Sequence, residues 1–254
     1  MKKQIGIVEI ALLFCLSAST ALPAEMPNPL RQPVDYVRWY PNHYWNGFKG
    51  IADVRFHRNL LIAGAVAIPV AFLLDDVVHD YAVDHGFYSS EISRIGDLYG
   101  YRWGYVGAAG LVTLTGFVGG QSFQQTFSDV ELLGEAIITE GIIVGLVKEI
   151  SHRQRPNGEN YHSFPSGHTS GSFTLAACLN KIYGKKVGIP AYAMATFVAS
   201  SRINDNKHYL SDVVTGAIVG TIIGKSFSRE HHQMWHVQAS QSNQTSTVTI
   251  SCNF

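Results

Sequence analysis

Along the middle of the chain, apolar residues gather in stretches of helical length, parted by short polar or glycine-containing breaks. Six stand out, at 59–74, 105–119, 130–150, 169–183, 187–200 and 211–227. No β-branched alternating runs with hairpin turns separate them. The pattern predicts an all-α fold, a bundle of about six core helices. Residues 25–58 are rich in Pro, Asn, Trp and Tyr and lack that periodicity, so they read as an irregular N-terminal arm. The end, 228–254, is a polar tail rich in Ser, Thr and Gln. Within it 245–251 has the composition of a lone strand, although a disordered end is the expectation. The helical domain therefore spans 59–227.

Whether this bundle meets water or lipid is less plain. A bilayer span needs about 20 predominantly apolar residues. The apolar run from Leu60 stops short of that at Asp75 and Asp76, and 130–150 carries Glu131, Glu135, Glu140, Lys148 and Glu149. Charges in a span are costly unless they face a functional interior. Only 103–120 is long and uncharged enough. The balance leans toward an exported domain, soluble or peripherally attached, with periplasmic or envelope location. The alternative is an integral inner-membrane protein whose site faces the periplasm.

Composition adds two constraints. Lys plus Arg and Asp plus Glu number 19 each, which gives no reason to expect nucleic acid as a partner. Residues 1–24 read as a signal peptide: Lys2 and Lys3, an apolar run, then small residues to Ala21 or Ala24. Its removal would take Cys15 away and leave Cys178 and Cys252, whose pairing is open.

The candidate chemistry sits in three clusters. Lys148 and Arg155 end a helix before Pro156, two turns apart and toward one side, where two cations can hold a phosphate. Pro165, Ser166, Gly167 and His168 make a turn into a helix starting near Thr169. There the Gly167 and His168 amides, the Ser166 hydroxyl and the positive helix end can meet an anion. Ser201 and Arg202 precede His208 and Asp212. At a spacing of four, a carboxylate on the same helix face can orient the imidazole as a nucleophile. Each cluster alone is also compatible with an ordinary basic helix end, a capped helix start or a surface His–Asp pair.

Taken together, Lys148, Arg155, Pro156, Pro165, Ser166, Gly167, His168, Ser201, Arg202, His208 and Asp212 resemble the tripartite motif of the type-2 phosphatidic acid phosphatase superfamily. That superfamily includes lipid phosphate phosphatases, bacterial acid phosphatases and vanadium haloperoxidases. The resemblance implies a hydrolase of phosphate monoesters or diphosphates that works through a phosphohistidine, with no cofactor and no metal. It implies phosphate binding by Lys148, Arg155, Ser166, Gly167 and Arg202, attack by His208 oriented by Asp212, and proton transfer by His168. The substrate would be a small phosphate ester or a lipid phosphate, the latter with membrane contact. Vanadate-dependent haloperoxidase chemistry and a non-catalytic envelope protein that keeps a phosphate pocket are the alternatives.

Two other groupings read as incidental. Asp75, Asp76 and Asp80 look like a solvated helix end rather than an aspartate-rich metal motif. His232 and His236 have helical metal-ligand spacing but lie in the polar tail. His152 and His162 flank the first two motifs as candidates for tuning the pocket.

Overall fold

The computed structural model describes residues 27–231, 235–242 and 245–252, the last two for their backbone. Among them are nine helices. They are α1 (Pro33–Ile51), α2 (Val54–Leu73), α3 (Asp75–His85), α4 (Ser90–Tyr99), α5 (Arg102–Val118), α6 (Phe123–Ser151), α7 (Gly167–Tyr183), α8 (Lys185–Asn204) and α9 (Leu210–Glu230). A two-stranded antiparallel hairpin, β1 (Trp235–Ser242) and β2 (Thr245–Cys252), follows. The domain is all-α, as the apolar pattern requires. The signal segment lies outside the described residues.

Three helices arise where the sequence reading placed none. The arm is not irregular but contains α1. Pro33 sits in its first turn, where a missing N–H costs nothing, and Trp39, His43, Gly47 and Gly50 are its buried positions. That is a helical period carried by an aromatic, a histidine and glycines instead of aliphatics, which hid it. A β-carbon on Gly47 would stand 2.6 Å from the Phe227 ring, so α1 packs tightly on α9. The short helices α3 and α4 carry few buried apolar residues and are placed by polar contacts. The tail also departs from the expected disordered end, because β1 supplies the partner that a lone strand at 245–251 would lack.

Helices α7 and α9 form the centre. On α9, Gly216, Gly220 and Gly224 stand at spacings of four and face α7. A β-carbon at Gly220 would lie 2.0 Å from the Ser170 carbonyl oxygen, and one at Gly216 2.7 Å from that of Ser166. Backbone thus meets backbone where the second and third motifs must converge. Below this contact, Val112, Leu132, Leu133, Ala136, Leu175, Cys178, Ile223 and Phe227 close the apolar core. Cys178 is buried there as a free thiol.

The outside of the bundle is apolar. Helix α6 buries Asp129, Glu135 and Glu140 on its inward side beside Leu132, Leu133, Ala136 and Val144. Outward it presents Ile138, Ile142, Leu146 and Ile150 at spacings of four. Helix α5 exposes Trp103, Val106, Leu111, Leu114 and Phe117. Helices α2 and α9 are both long and apolar enough to cross a membrane, but α9 is mostly packed inside while only 17% of α2's most apolar stretch is buried. Exposed apolar rows of this extent mark membrane or protein interaction faces. The lean toward a soluble domain therefore gives way to membrane association.

Candidate active site

The first motif bends away from its helix earlier than Pro156 requires. Helix α6 ends at Ser151, with His152 in the left-handed conformation (φ 41°) donating its N–H to the Lys148 carbonyl. Arg155 is therefore in the following loop, not two turns along the helix from Lys148. The loop brings it back: the Arg155 N–H bonds Asn160 O, and the Lys148 ammonium donates to His162 O at 2.6 Å. Lys148 lies over Gly167, its Cε 3.8 Å from where a β-carbon would be. The two cations and the second motif share one place.

The second motif is built as its residues suggest. Ser166 is the N-cap of α7, so the helix begins at Gly167, and the Phe164–Pro165 peptide is cis. The Ser166 N–H donates to the Asp212 carbonyl at 3.0 Å, joining motif two to motif three. His168, in the first turn, stacks on Tyr101 and places Nε2 3.2 Å from Asp97 Oδ1.

In the third motif, Arg202 belongs to the last turn of α8 and is 4% exposed. It bonds Asp97 and Asp205, each at 2.5 Å. His208 is not on a helix with Asp212. It lies in the loop before α9, its N–H donating to Arg202 O. Asp212 is in the first turn of α9 and accepts the Tyr209 N–H at 2.9 Å, as a cap. The spacing of four still works: His208 Nδ1 is 3.5 Å from Asp212 Oδ2.

Asp212 is held from every side. Its Oδ2 accepts from Ser163 Oγ at 2.5 Å and its Oδ1 from Arg153 Nη1 at 2.7 Å. Arg153 reaches on to Asp75 Oδ2 at 2.7 Å, its guanidinium between the rings of Phe72 and Tyr209. Asp75 in turn accepts both the N–H and the hydroxyl of Ser211, at 2.8 and 2.6 Å. Reading Asp75 as a solvated helix end is therefore wrong. It is 5% exposed and orders the start of α9, whereas Asp76 and Asp80 do face solvent. Arg153, Ser163, Asp75 and Asp97 are the residues sequence reasoning missed. Only Arg153, inside the first motif's cation run, left a local signal. Of the flanking histidines, His152 stacks on Tyr161 and His162 pairs with Glu149.

The electrostatics follow from burial among cations. Burial first, and then the charges of Lys148 and Arg155 against the pull of Asp212, take the His208 imidazole down to about 4. Burial and the Arg202 charge take His168 down to about 4 as well, against the pull of Asp97. Both rings are thus neutral at neutral pH. Arg155 Nε is buried without a hydrogen-bond partner, whereas His168 Nε2 and His208 Nδ1 face the carboxylates of Asp97, at 3.2 Å, and Asp212, at 3.5 Å, outside good hydrogen-bond geometry. A site of three cations, two imidazoles and a helix N-terminus, with the Arg155 donor left unpaired, suits a tetrahedral oxyanion.

The fold and this constellation define a helical bundle with a buried cationic pocket beside two imidazoles. Residues 130–234, the part of the chain that carries the three motifs, match the PAP2 superfamily model. The chain is 37% identical over 98 residues to a lipid A 1-phosphatase of Porphyromonas gingivalis, covering 37% of this chain and 22% of that protein. It is 30% identical over 99 residues to a lipid A 4'-phosphatase of Helicobacter pylori, covering 35% and 50%. It thus spans half or less of the length of these relatives. Among solved structures it resembles a transmembrane PAP2-type phosphatidylglycerolphosphate phosphatase of Bacillus subtilis. That likeness, at TM-score 0.50 and 21% identity over 69% of this chain and 92% of the other, establishes the fold.

Proposed function

We propose that the chain is a membrane-associated phosphatase that removes phosphate from a lipid phosphate through a phosphohistidine on His208, without a metal at the reacting centre. The observation that carries this reading is the His208 ring, faced by a fully engaged Asp212 and sharing the charge field of Arg155, whose Nε is unpartnered, and of His168. Asp212 fixes the Nδ1 side, so Nε2 is the attacking atom. A P–N bond forms as the P–O bond to the alcohol breaks, and His168 gives its proton to the leaving oxygen. Water, deprotonated by His168, then cleaves the P–N bond. Lys148, Arg155, Arg202, Ser166 and the Gly167 amide take up charge on the equatorial oxygens.

His168 needs a proton to act as acid. The bound dianion provides for that by raising a pKa that Arg202 depresses in the empty site. Asp97 bonds Arg202 and lies 3.2 Å from His168 Nε2, so it competes with a bound phosphate for both groups. The lipid assignment is supported by the outward apolar faces of α2, α5 and α6 and by the names of the relatives.

The test is phosphate release from a lipid A preparation and from phosphatidic acid against a small aryl phosphate, with EDTA in short assays. Lipid preference is expected, with turnover lost in His208→Ala and vanadate inhibiting the wild type. Halide oxidation on adding vanadate would assign the pocket to haloperoxidase chemistry instead. Full turnover by His208→Ala would reject the nucleophile.

A further inference from the structure

A second cluster of ligand-type side chains lies at the opposite end of α6 from the phosphate site. Glu135 and Lys148 are 13 residues apart on one helix, which is about 20 Å. Here His43 of α1, Glu131 and Glu135 of α6 and His231, the residue capping α9, turn inward together. His43 Nε2 and His231 Nε2 are 3.1 Å apart, and Glu135 Oε2 is 3.0 Å from the latter and 3.5 Å from the former. One oxygen of Glu131 shares the space, its ligand atom and those of the two histidines all within 4.8 Å of one another. Ser128 Oγ sits 3.0 Å from His231 Nδ1, and the Tyr36 hydroxyl donates to Glu131 Oε1.

Protons alone satisfy this arrangement poorly. If His231 Nε2 carries a hydrogen for Glu135, the nitrogen of His43 must share that same hydrogen. If both nitrogens carry one, the two N–H groups face each other. Meanwhile Glu131 Oε2 and Glu135 Oε1 are buried without a partner, and Glu135 is 2% exposed. A dication between the two imidazole nitrogens, Glu135 Oε2 and Glu131 would remove the conflict over the shared hydrogen and offset the buried negative charge. Four ligands at zinc distances stand about 3.3 Å apart along the edges of a tetrahedron, and the 3.0, 3.1 and 3.5 Å triangle here is one such face.

We propose that His43, Glu131, Glu135 and His231 form a structural site for a divalent transition-metal ion, zinc by preference, that ties α1 and the end of α9 to α6. Two imidazoles and two carboxylates neutralise a dication and favour zinc over magnesium or calcium, which take all-oxygen sets. Four protein ligands leave no open position, so the ion has no part in the chemistry at His208.

The purified full chain in detergent is stripped with EDTA, dialysed against zinc, and assayed for metal per chain and thermal midpoint. About one zinc per chain is expected in the wild type and in His208→Ala, with an upward shift in midpoint. Both effects should be lost in His43→Ala and in His231→Gln. If these variants fold too poorly to assay, cobalt(II) loading of the wild type decides: a tetrahedral d–d absorption is expected. No zinc retained, no shift in midpoint, or an octahedral cobalt spectrum would overturn the proposal and leave a proton-sharing network.

Discussion

Arg153 shows how a side chain within the first motif's run, but with no part in phosphate binding, can govern the residues of the third. It bridges two buried carboxylates, Asp75 and Asp212, and touches Ser211 between them, so it sets the plane of the carboxylate that faces His208. Removing its charge leaves two buried anions uncompensated and frees Asp212 to turn. Arg153→Gln is expected to lower kcat about 10- to 100-fold with KM little changed, as is typical of positioning groups. Arg153→Lys should recover only part of the loss, because an ammonium cannot fork between two acceptors. A rise in KM at constant kcat would instead place Arg153 against the substrate.

At the scale of elements, the contact between α7 and α9 decides whether a site exists. The glycine row on α9 lets the start of α7 approach closely enough for the Ser166 N–H to bond Asp212 O. Thr174 adds a hydroxyl bond to the Gly220 carbonyl at 3.0 Å. Gly220→Val would push a side chain into the Ser170 carbonyl, where nothing flexible can yield. It should destabilise the fold by about 3 kcal/mol or more. It should also cut phosphate release at temperatures where the protein stays folded, since the helices must part. A variant with wild-type midpoint and rate would mean the helices can slide past each other at no cost.

For the whole molecule, the consequence of burying neutral histidines is a dependence of stability on pH. His208 and His168 fall from 6.5 to about 4 in the folded chain, so unfolding lets them bind protons that the native state refuses. For these two groups the unfolded state binds more protons between those values, so their contribution to stability falls as pH drops from about 6.5 to about 4. Glu131 and Glu140, raised by burial to about 7, act in the opposite sense. Measured against the wild type, the thermal midpoint of His208→Phe should fall less on acidification across that window. Identical pH dependence of the two midpoints would contradict a neutral, buried His208. Activity should fall over the lower part of the same range, as His208 gains a proton and ceases to be a nucleophile.

The chemistry was legible in the linear chain because it depends on residue types at short range. Lys148, Arg155, Ser166, His168, Arg202, His208 and Asp212 fall in three compact runs, and the long apolar segments between them already specify helices. Where local order alone was trusted, the reading slipped. His152 ends α6 before Pro156 does, His208 precedes its helix, and α1 keeps its helical period with His43 and glycines where aliphatics were sought. What no local pattern holds is the partnership across distance. Asp75 lies 136 positions from Ser211, Asp97 105 from Arg202, and His43 188 from His231. Such pairs form only when packing of backbone on backbone brings the elements together, and burial then decides which carboxylate is a solvated helix end and which is a strut. The outward apolar face is settled in the same way: α6 buries Asp129, Glu135 and Glu140 with one set of aliphatics and turns Ile138, Ile142, Leu146 and Ile150 outward, an orientation that composition cannot express and neighbouring helices impose.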